Sequence, residues 1–281
     1  MFRFFRRRRI DPKQRLAKVI GERRLPSFNG VVLRALEVLR DPDASHDRIA
    51  RALEPDPGLS VRVLKTVNSA VYSPRREVTS LSQAISLMGR SQLEALVLAI
   101  AVADSLPRES TSGFDAQAFW FHAARRATLS RALSRRLHPV SSGVSFTASL
   151  LQDLAIPLLA HSDPENYGPL LERSREQGLP LQDLEREAFG WDHTEVGTWI
   201  CSEWGLPESL AAAIGAHHGR REEGLESLPA VELVALLEES ESGGEVFLEA
   251  AERRYRLDPE DLRSSVASSF DEAAQLAESF C

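Results

Sequence analysis

The sequence has 281 residues, of which 43% are hydrophobic and 27% charged, as in ordinary globular proteins, which excludes disorder over most of the chain. The net charge of −7 disfavours nucleic acid as the main partner, because proteins that bind nucleic acid usually carry a basic surface. Two cysteines, Cys201 and Cys281, exclude a disulfide framework, and we expect a cytoplasmic location.

The N-terminal segment 1–20 is predicted to be a basic tail. Three phenylalanines and five arginines occur within residues 1–10, without the apolar region and cleavage site of a signal peptide. A disordered tail is the favoured interpretation, and weak contact of these Arg and Phe residues with an anionic membrane surface is the alternative. No apolar run reaches the roughly 20 residues of a membrane span, so no transmembrane segment is predicted.

The whole chain is predicted to be all-α, as two packed helical bundles. Apolar residues recur three to four positions apart, and alternating β-branched runs are missing. The first bundle is assigned to residues 21–110, with a buried central helix over 92–106. Its helices are separated by turn and capping signals at Asp41–Asp43, Ser45, Pro55–Gly58, Thr79 or Ser80, and Gly89.

The second bundle is assigned to residues 114–281, after a polar, turn-rich boundary at Pro107–Gly113. Two long helices are expected first, and the second of them contains Pro157, which should perturb its end. The expected helices cover 115–137, 144–160, a segment starting at 163, 184–189, 193–204, 207–219, and two or three more from 228 onward.

The segment 45–69 also resembles a DNA-binding helix-turn-helix. Its basic residues, Arg48, Arg51, Arg62 and Lys65, would contact nucleic acid in that interpretation. Because these residues are few and the chain is acidic, a plain helical hairpin is favoured, and DNA contact is the alternative.

Histidines are the main candidates for chemistry in the second bundle. His122 lies inside a helix, His193 begins a helix, and the pair His217 and His218 ends one, while Asp153 lies on a neighbouring helix. Helical bundles hold metals with imidazole and carboxylate ligands from facing helices. These residues therefore resemble a metal-ligand cluster.

One position in this cluster lacks a metal ligand. Gln152 directly precedes Asp153, where a His-Asp pair would supply two adjacent ligands. A neutral amide is a poor ligand for a hydrolytic dinuclear site, so a metal-bound water is harder to activate there.

Eight short motifs occur in an order and spacing that identify a family resemblance. They are Arg24–Gly30, Leu39–Ser45, Glu54–Ser60, Val67–Tyr72, Thr79–Gly89, Phe189–Gly197, Trp204–Pro207 and Ala216–Gly219. With them the chain resembles the HDOD domain, an HD-related output domain and a non-catalytic relative of the HD and HD-GYP phosphohydrolases. The resemblance extends from about residue 20 to 240 and implies that the second bundle is HD-domain-like.

The resemblance implies a role for each matching histidine. His122 falls at the first metal-ligand histidine of HD enzymes, and His193, His217 and His218 match later histidines of the dinuclear enzymes. Glu238 falls near the position of the final Asp.

Two departures from the HD enzymes imply that hydrolysis is lost. Gln152 and Asp153 fall where the His-Asp pair belongs, and Ala155 and Ile156 replace the usual Gly-Lys. The Lys of catalytic relatives assists at the phosphate, which an Ile cannot do.

We therefore predict a non-catalytic bacterial signalling or regulatory protein that binds another protein and uses no cofactor. A cyclic dinucleotide is a further candidate ligand. The alternatives are a residual metal-dependent phosphohydrolase, with iron, manganese or magnesium, and a regulator that binds DNA or a cyclic dinucleotide. No bound metal is expected at the vestigial positions His122, Gln152, Asp153, His193, His217 and His218.

Overall fold

The structure, a computed structural model, describes residues 27–69, 72, 74–219, 228–237 and 244–277. The predicted tail, Glu238 and Cys281 lie outside these residues. Within them the secondary structure is helical, with one isolated β-bridge between Thr111 and Phe114, and the predicted all-α class is confirmed.

Fifteen α-helices follow one another in the described residues, with a short 3₁₀ turn at Pro139–Ser141 between the sixth and seventh. They are α1 Gly30–Arg40, α2 His46–Leu53, α3 Pro57–Asn68, α4 Leu81–Met88, α5 Arg90–Ser105, α6 Ala116–Leu137, α7 Ser142–Leu151, α8 Ala155–Ser162, α9 Pro164–Gln177, α10 Leu181–Phe189, α11 His193–Glu203, α12 Glu208–Gly215, α13 Pro229–Val234, α14 Glu245–Tyr255 and α15 Pro259–Ala277.

Short polar side chains start many of these helices. Ser45, Ser80 and Asp115 each accept a hydrogen bond from a backbone N–H in the first turn of the following helix. Such caps satisfy backbone donors that have no partner within the helix. Between α4 and α5, Gly89 adopts a φ of 77°, a conformation that glycine reaches without strain, and the chain bends there by 118°.

The prediction of one helix over 144–160 is wrong. The helix is interrupted at residues 152–154, which separate α7 from α8. Pro157 has no N–H to donate to the carbonyl of Asp153, and that carbonyl instead accepts from Ile156 N at 2.9 Å, three residues on. The interruption places Asp153 in a turn.

A continuous apolar core connects the two halves of the chain. Residues 96–103 of α5 are all buried, and their core cluster includes residues from α1 as well as from α7, α11 and α12. The Thr147 hydroxyl of α7 donates to the Ala95 carbonyl of α5 at 3.2 Å. A smaller cluster joins the second half of α6 to α13, α14 and α15. The division into bundles at 107–113 stays a prediction.

The stretch Pro139–Ser162 is long and apolar enough for a membrane span by composition, but 78% of its most apolar window is buried inside the fold. Burial of this kind is typical of a core helix in a soluble protein. The cytoplasmic location stays a prediction.

Candidate functional site

Helix α6 contributes two side chains to the candidate site, His122 and Arg126. They are four residues apart and therefore share one face of the helix. Both line a cleft of about 870 Å³ together with Asp153, His193 and His218. Ile156, which stands at the position of the Lys of the HD enzymes, also lines this cleft.

The turn between α10 and α11 positions His193. Gly190 takes a left-handed conformation with φ 82°, and Asp192 then caps α11 by accepting from the backbone N–H groups of Thr194 and Glu195. His193 is consequently the first residue of α11. Arg186 forms an ion pair with the buried Asp192, which fixes this turn further.

Glu185 of α10 holds the His193 ring. Its Oε2 accepts from His193 N at 2.9 Å and lies 2.6 Å from His193 Nδ1. Its Oε1 accepts a hydrogen bond from the Tyr167 hydroxyl of α9. Glu185 has no exposed surface, and its buried carboxylate contacts three donor groups: the backbone N and Nδ1 of His193 and the hydroxyl of Tyr167. With Nδ1–H directed at Glu185, Nε2 of His193 faces the cluster.

His217 and His218 lie in the turn after α12, which ends at Gly215. His217 Nδ1 lies 2.6 Å from the Ile214 carbonyl, which can only accept, so Nδ1 carries the proton and Nε2 faces Asp153. His218 Nε2 lies 3.1 Å from His193 Nε2. The chain leaves this turn through Gly219, with φ 77°.

Four side chains bring their potential ligand atoms together. One atom each from Asp153, His193, His217 and His218 lies within 4.8 Å of the other three. Asp153 Oδ1 is 3.5 Å from His193 Nε2 and 3.3 Å from His217 Nε2. Three imidazoles and one carboxylate are a set suited to Zn²⁺ or a similar ion, so these residues fit one metal.

The second oxygen of Asp153 is engaged by Arg126. Arg126 Nη2 lies 2.6 Å from Asp153 Oδ2, and the two side chains are 16% and 12% exposed. Burial raises the pKa of Asp153, but Arg126, together with His217 and His193, holds that pKa well below its usual range. The carboxylate is therefore ionised, and the residues do not fit a second metal at Oδ2.

His193 and His218, two of the histidines that line the cleft, have opposite pKa shifts. Burial lowers the pKa of His193, yet the carboxylates of Glu185 and Asp153 outweigh it and raise this pKa to about 8. Burial, with the neighbouring His217 and His193, lowers the pKa of His218 to about 2. His218 is consequently neutral and available as an electron-pair donor.

Comparison with known proteins identifies the family. The model of the HDOD domain matches residues 25–220. This chain belongs to the HDOD domain family. An uncharacterized protein of Treponema pallidum (strain Nichols) is 24% identical over 224 residues, which are 79% of this chain and 43% of that protein. The HDOD chain thus spans less than half the length of that relative.

Solved structures have the same fold. A Shewanella amazonensis SB2B protein, provisionally named a phosphohydrolase, has a TM-score of 0.75 at 21% identity, covering 96% of this chain and 98% of its own. An HDOD domain protein of unknown function from Geobacter sulfurreducens has a TM-score of 0.65 at 21% identity, covering 95% and 91%. A Marinobacter aquaeolei VT8 protein, provisionally named a signal transduction protein, has a TM-score of 0.70 at 18% identity, covering 96% and 65%.

The HDOD structure brings together most of the sequence-predicted site. His122 lines the cleft, but it is not among the four clustered donors. Gln152 is buried beside Asp153, and its amide oxygen has no hydrogen-bond partner among the described residues. No observation in the structure tests the expected absence of a bound metal.

Sequence reasoning missed three residues of this site: Arg126, Glu185 and Tyr167. The spacing of four residues between His122 and Arg126 was a usable signal, because it places both on one helix face. Glu185 had no comparable signal, since its contact with His193 depends on the turn that joins α10 to α11.

The residues predicted to contact nucleic acid lie on α2 and α3, and none of them is among the four clustered donors. Arg48 Nη1 is 2.6 Å from Asp41 Oδ2, and Arg62 forms an ion pair with Asp104. Arg51 and Lys65 are exposed. Their contact with nucleic acid stays a prediction.

Proposed function

We propose that this HDOD protein is a regulatory signalling protein that acts by binding another protein and does not hydrolyse phosphoesters. HDOD is an HD-related family associated with signalling, which supports the first part of the proposal. The chemistry around Asp153 supports the second part.

The observation that carries the proposal is the ion pair between Arg126 and Asp153. A dinuclear hydrolase uses two metal ions to stabilise the attacking and leaving oxygens. Here Asp153 Oδ2 is bonded to a guanidinium, and the adjacent Gln152 supplies no strong ligand. Ile156 lines the cleft at the position where the resemblance to the catalytic HD enzymes implies a Lys. These features support the proposal, because they offer no second set of metal ligands and no Lys at the position of Ile156.

A phosphodiester assay tests the absence of hydrolysis. The purified full chain is incubated with bis(p-nitrophenyl) phosphate and Mn²⁺, Fe²⁺ or Mg²⁺, and the expected rate equals that of metal without protein. His193→Ala is the matched control. Turnover by the wild type that disappears in His193→Ala would show that the site is an enzyme and would overturn the proposal.

A direct binding measurement tests the first part of the proposal, that the protein acts by binding another protein. Proteins captured by the tagged chain are purified, and their affinity for the chain is measured by calorimetry. We expect at least one direct complex, with the same affinity in the wild type and in His193→Ala, because the proposed binding does not use catalysis. If every captured protein fails to bind the purified chain, this half is wrong.

A residual phosphohydrolase is the second candidate. It is favoured by the four clustered donors and by the carboxylate of Glu185 on His193, an arrangement usual for metal-binding histidines. The assay with His193→Ala distinguishes it from the regulatory protein.

A regulator that binds a cyclic dinucleotide is a further candidate. The cleft volume of about 870 Å³ lies within the range of roughly 300–1,000 Å³ for small-molecule sites. Calorimetric titration with cyclic dinucleotides tests it, and an absence of heat would reject it.

A further inference from the structure

We propose that Asp153, His193, His217 and His218 bind one divalent cation, and that the guanidinium of Arg126 takes the place that a second cation would need. This inference concerns the ligand of the cluster. It holds whether or not the protein also binds a partner, and its test does not use turnover.

Three of the six separations between the ligand atoms match those around a single tetrahedral ion. Metal–ligand bonds of about 2.0–2.1 Å place neighbouring ligands of a tetrahedron about 3.3 Å apart. The observed distances are 3.1 Å between Nε2 of His193 and His218, 3.3 Å from Asp153 Oδ1 to His217 Nε2, and 3.5 Å from Oδ1 to His193 Nε2. The remaining three separations are at most 4.8 Å, so small movements of the side chains would let these atoms share one ion.

Hydrogen bonds at the Nδ1 atoms orient the imidazoles of His193 and His217 for metal binding through Nε2. Metal-binding histidines usually donate their other ring N–H to a carboxylate or a backbone carbonyl. His193 contacts Glu185 in this way, and His217 contacts the carbonyl of Ile214. Tyr167 holds Glu185 from its other oxygen. Two independent elements therefore direct the Nε2 atoms of His193 and His217 at the same point.

Arg126 limits the site to one ion. A guanidinium is not deprotonated in proteins, so its positive charge at Asp153 Oδ2 is permanent. A second dication near Oδ2 would lose that ligand atom and be repelled by the guanidinium. Gln152 offers only a neutral amide. One carboxylate would therefore hold a metal at Oδ1 while it pairs with the guanidinium at Oδ2.

The ligand set also selects the class of ion. Three imidazole nitrogens and one carboxylate oxygen favour Zn²⁺ and the neighbouring divalent transition metals, whereas Mg²⁺ and Ca²⁺ prefer oxygen ligands. The expected ligand is thus a zinc-like ion.

Titration with Co²⁺ tests both the site and its stoichiometry. The full chain is stripped with a chelator, dialysed and titrated, while visible absorption and bound metal are measured. We expect the absorption bands of tetrahedral Co²⁺, saturating at one ion per chain. Absence of binding would mean that the four side chains form only a polar network. Binding of two ions per chain would mean that Arg126 does not occupy the place of a second cation. Either result overturns the proposal.

Matched variants assign the ion to these residues. His218→Ala removes a partly exposed donor and should weaken Co²⁺ binding by more than about 100-fold, beyond the roughly 10–100-fold expected from losing an outer hydrogen bond in Glu185→Gln. His46→Ala, an exposed histidine on α2, should bind Co²⁺ as the wild type does. Equal affinity of His218→Ala and the wild type would contradict the assignment.

The role of Arg126 is tested by gain of a second ion. Gln152→His alone should still bind one Co²⁺, because the guanidinium remains on Oδ2. The double variant Arg126→Ala with Gln152→His should bind two. The spectrum of the first Co²⁺ reports correct folding of each variant. A double variant that retains this spectrum but binds no second ion would overturn the role of Arg126.

Discussion

The carboxylate of Asp153 contacts the guanidinium of Arg126 through one oxygen and faces two imidazoles through the other. The Nη2–Oδ2 distance is 2.6 Å, while Oδ1 lies 3.3 Å and 3.5 Å from the Nε2 atoms of His217 and His193. Asp153 belongs to the turn between α7 and α8, and Arg126 to the middle of α6. Their contact therefore joins two segments of the second half of the chain, and both residues line the cleft.

Loss of Arg126 should destabilise the metal-free protein. Arg126→Ala leaves the buried charge of Asp153 without its guanidinium, and breaking such a pair costs about 3 kcal/mol. Urea unfolding of the chelator-treated chain measures the change. Arg40→Ala is the control, because Arg40 and Glu94 form an exposed pair worth less than about 1 kcal/mol. Equal losses in the two variants would contradict a special contribution from Arg126.

Tyr167 and Glu185 should be energetically coupled. Tyr167→Phe removes the hydroxyl that donates to the buried Oε1 of Glu185, and an unpaired buried acceptor costs about 1–3 kcal/mol. The same change in a Glu185→Gln background should cost less, because the acceptor is no longer charged. A double-mutant cycle on the free energy of unfolding gives the coupling. Additive effects would argue against the contact.

Much of the helical pattern could be predicted from local signals. Ser45 and Ser80 cap helices as expected, and Gly89 makes the expected sharp turn. These signals act over a few residues, so they can be read without the tertiary structure. The interruption at 152–154 was missed because Pro157 was expected to perturb the end of a helix, whereas it displaces a hydrogen bond at Asp153.

The site could be predicted only for residues whose types are unusual in a helical core. His193, His217 and His218 were found because clustered histidines suggest ligands, and the structure brings them together. Glu185 is a residue type that normally faces solvent, so its burial could not be read from the sequence. It depends on partners from other helices.

The close approach of Gly168 to the loop before α6 should not tolerate a side chain. A Cβ at Gly168, in α9, would overlap the carbonyl oxygen of Ser112, which is backbone and cannot rotate away. Helix propensity alone would favour Gly168→Ala by about 1 kcal/mol, but overpacking costs about 1–3 kcal/mol, so we expect net destabilisation.

Thermal unfolding of Gly168→Ala checks the sign of this effect. Gly30→Ala is the control, since its Cβ would meet nothing within 4 Å. A stabilised Gly168→Ala would mean that the loop moves away at little cost.

Metal binding should raise the stability of the folded chain through the four-donor cluster. An ion that binds the folded state alone, at 100 times its dissociation constant, stabilises by about 2.7 kcal/mol. We expect this increase for the wild type with Zn²⁺, and a smaller one for Glu185→Gln, whose His193 ring is less firmly oriented. For His218→Ala we expect less than about 0.4 kcal/mol, because its affinity should be more than about 100-fold weaker. Urea unfolding with and without Zn²⁺ measures each difference, with His46→Ala expected to match the wild type. An equal gain in His218→Ala would place the stabilising ion elsewhere on the protein.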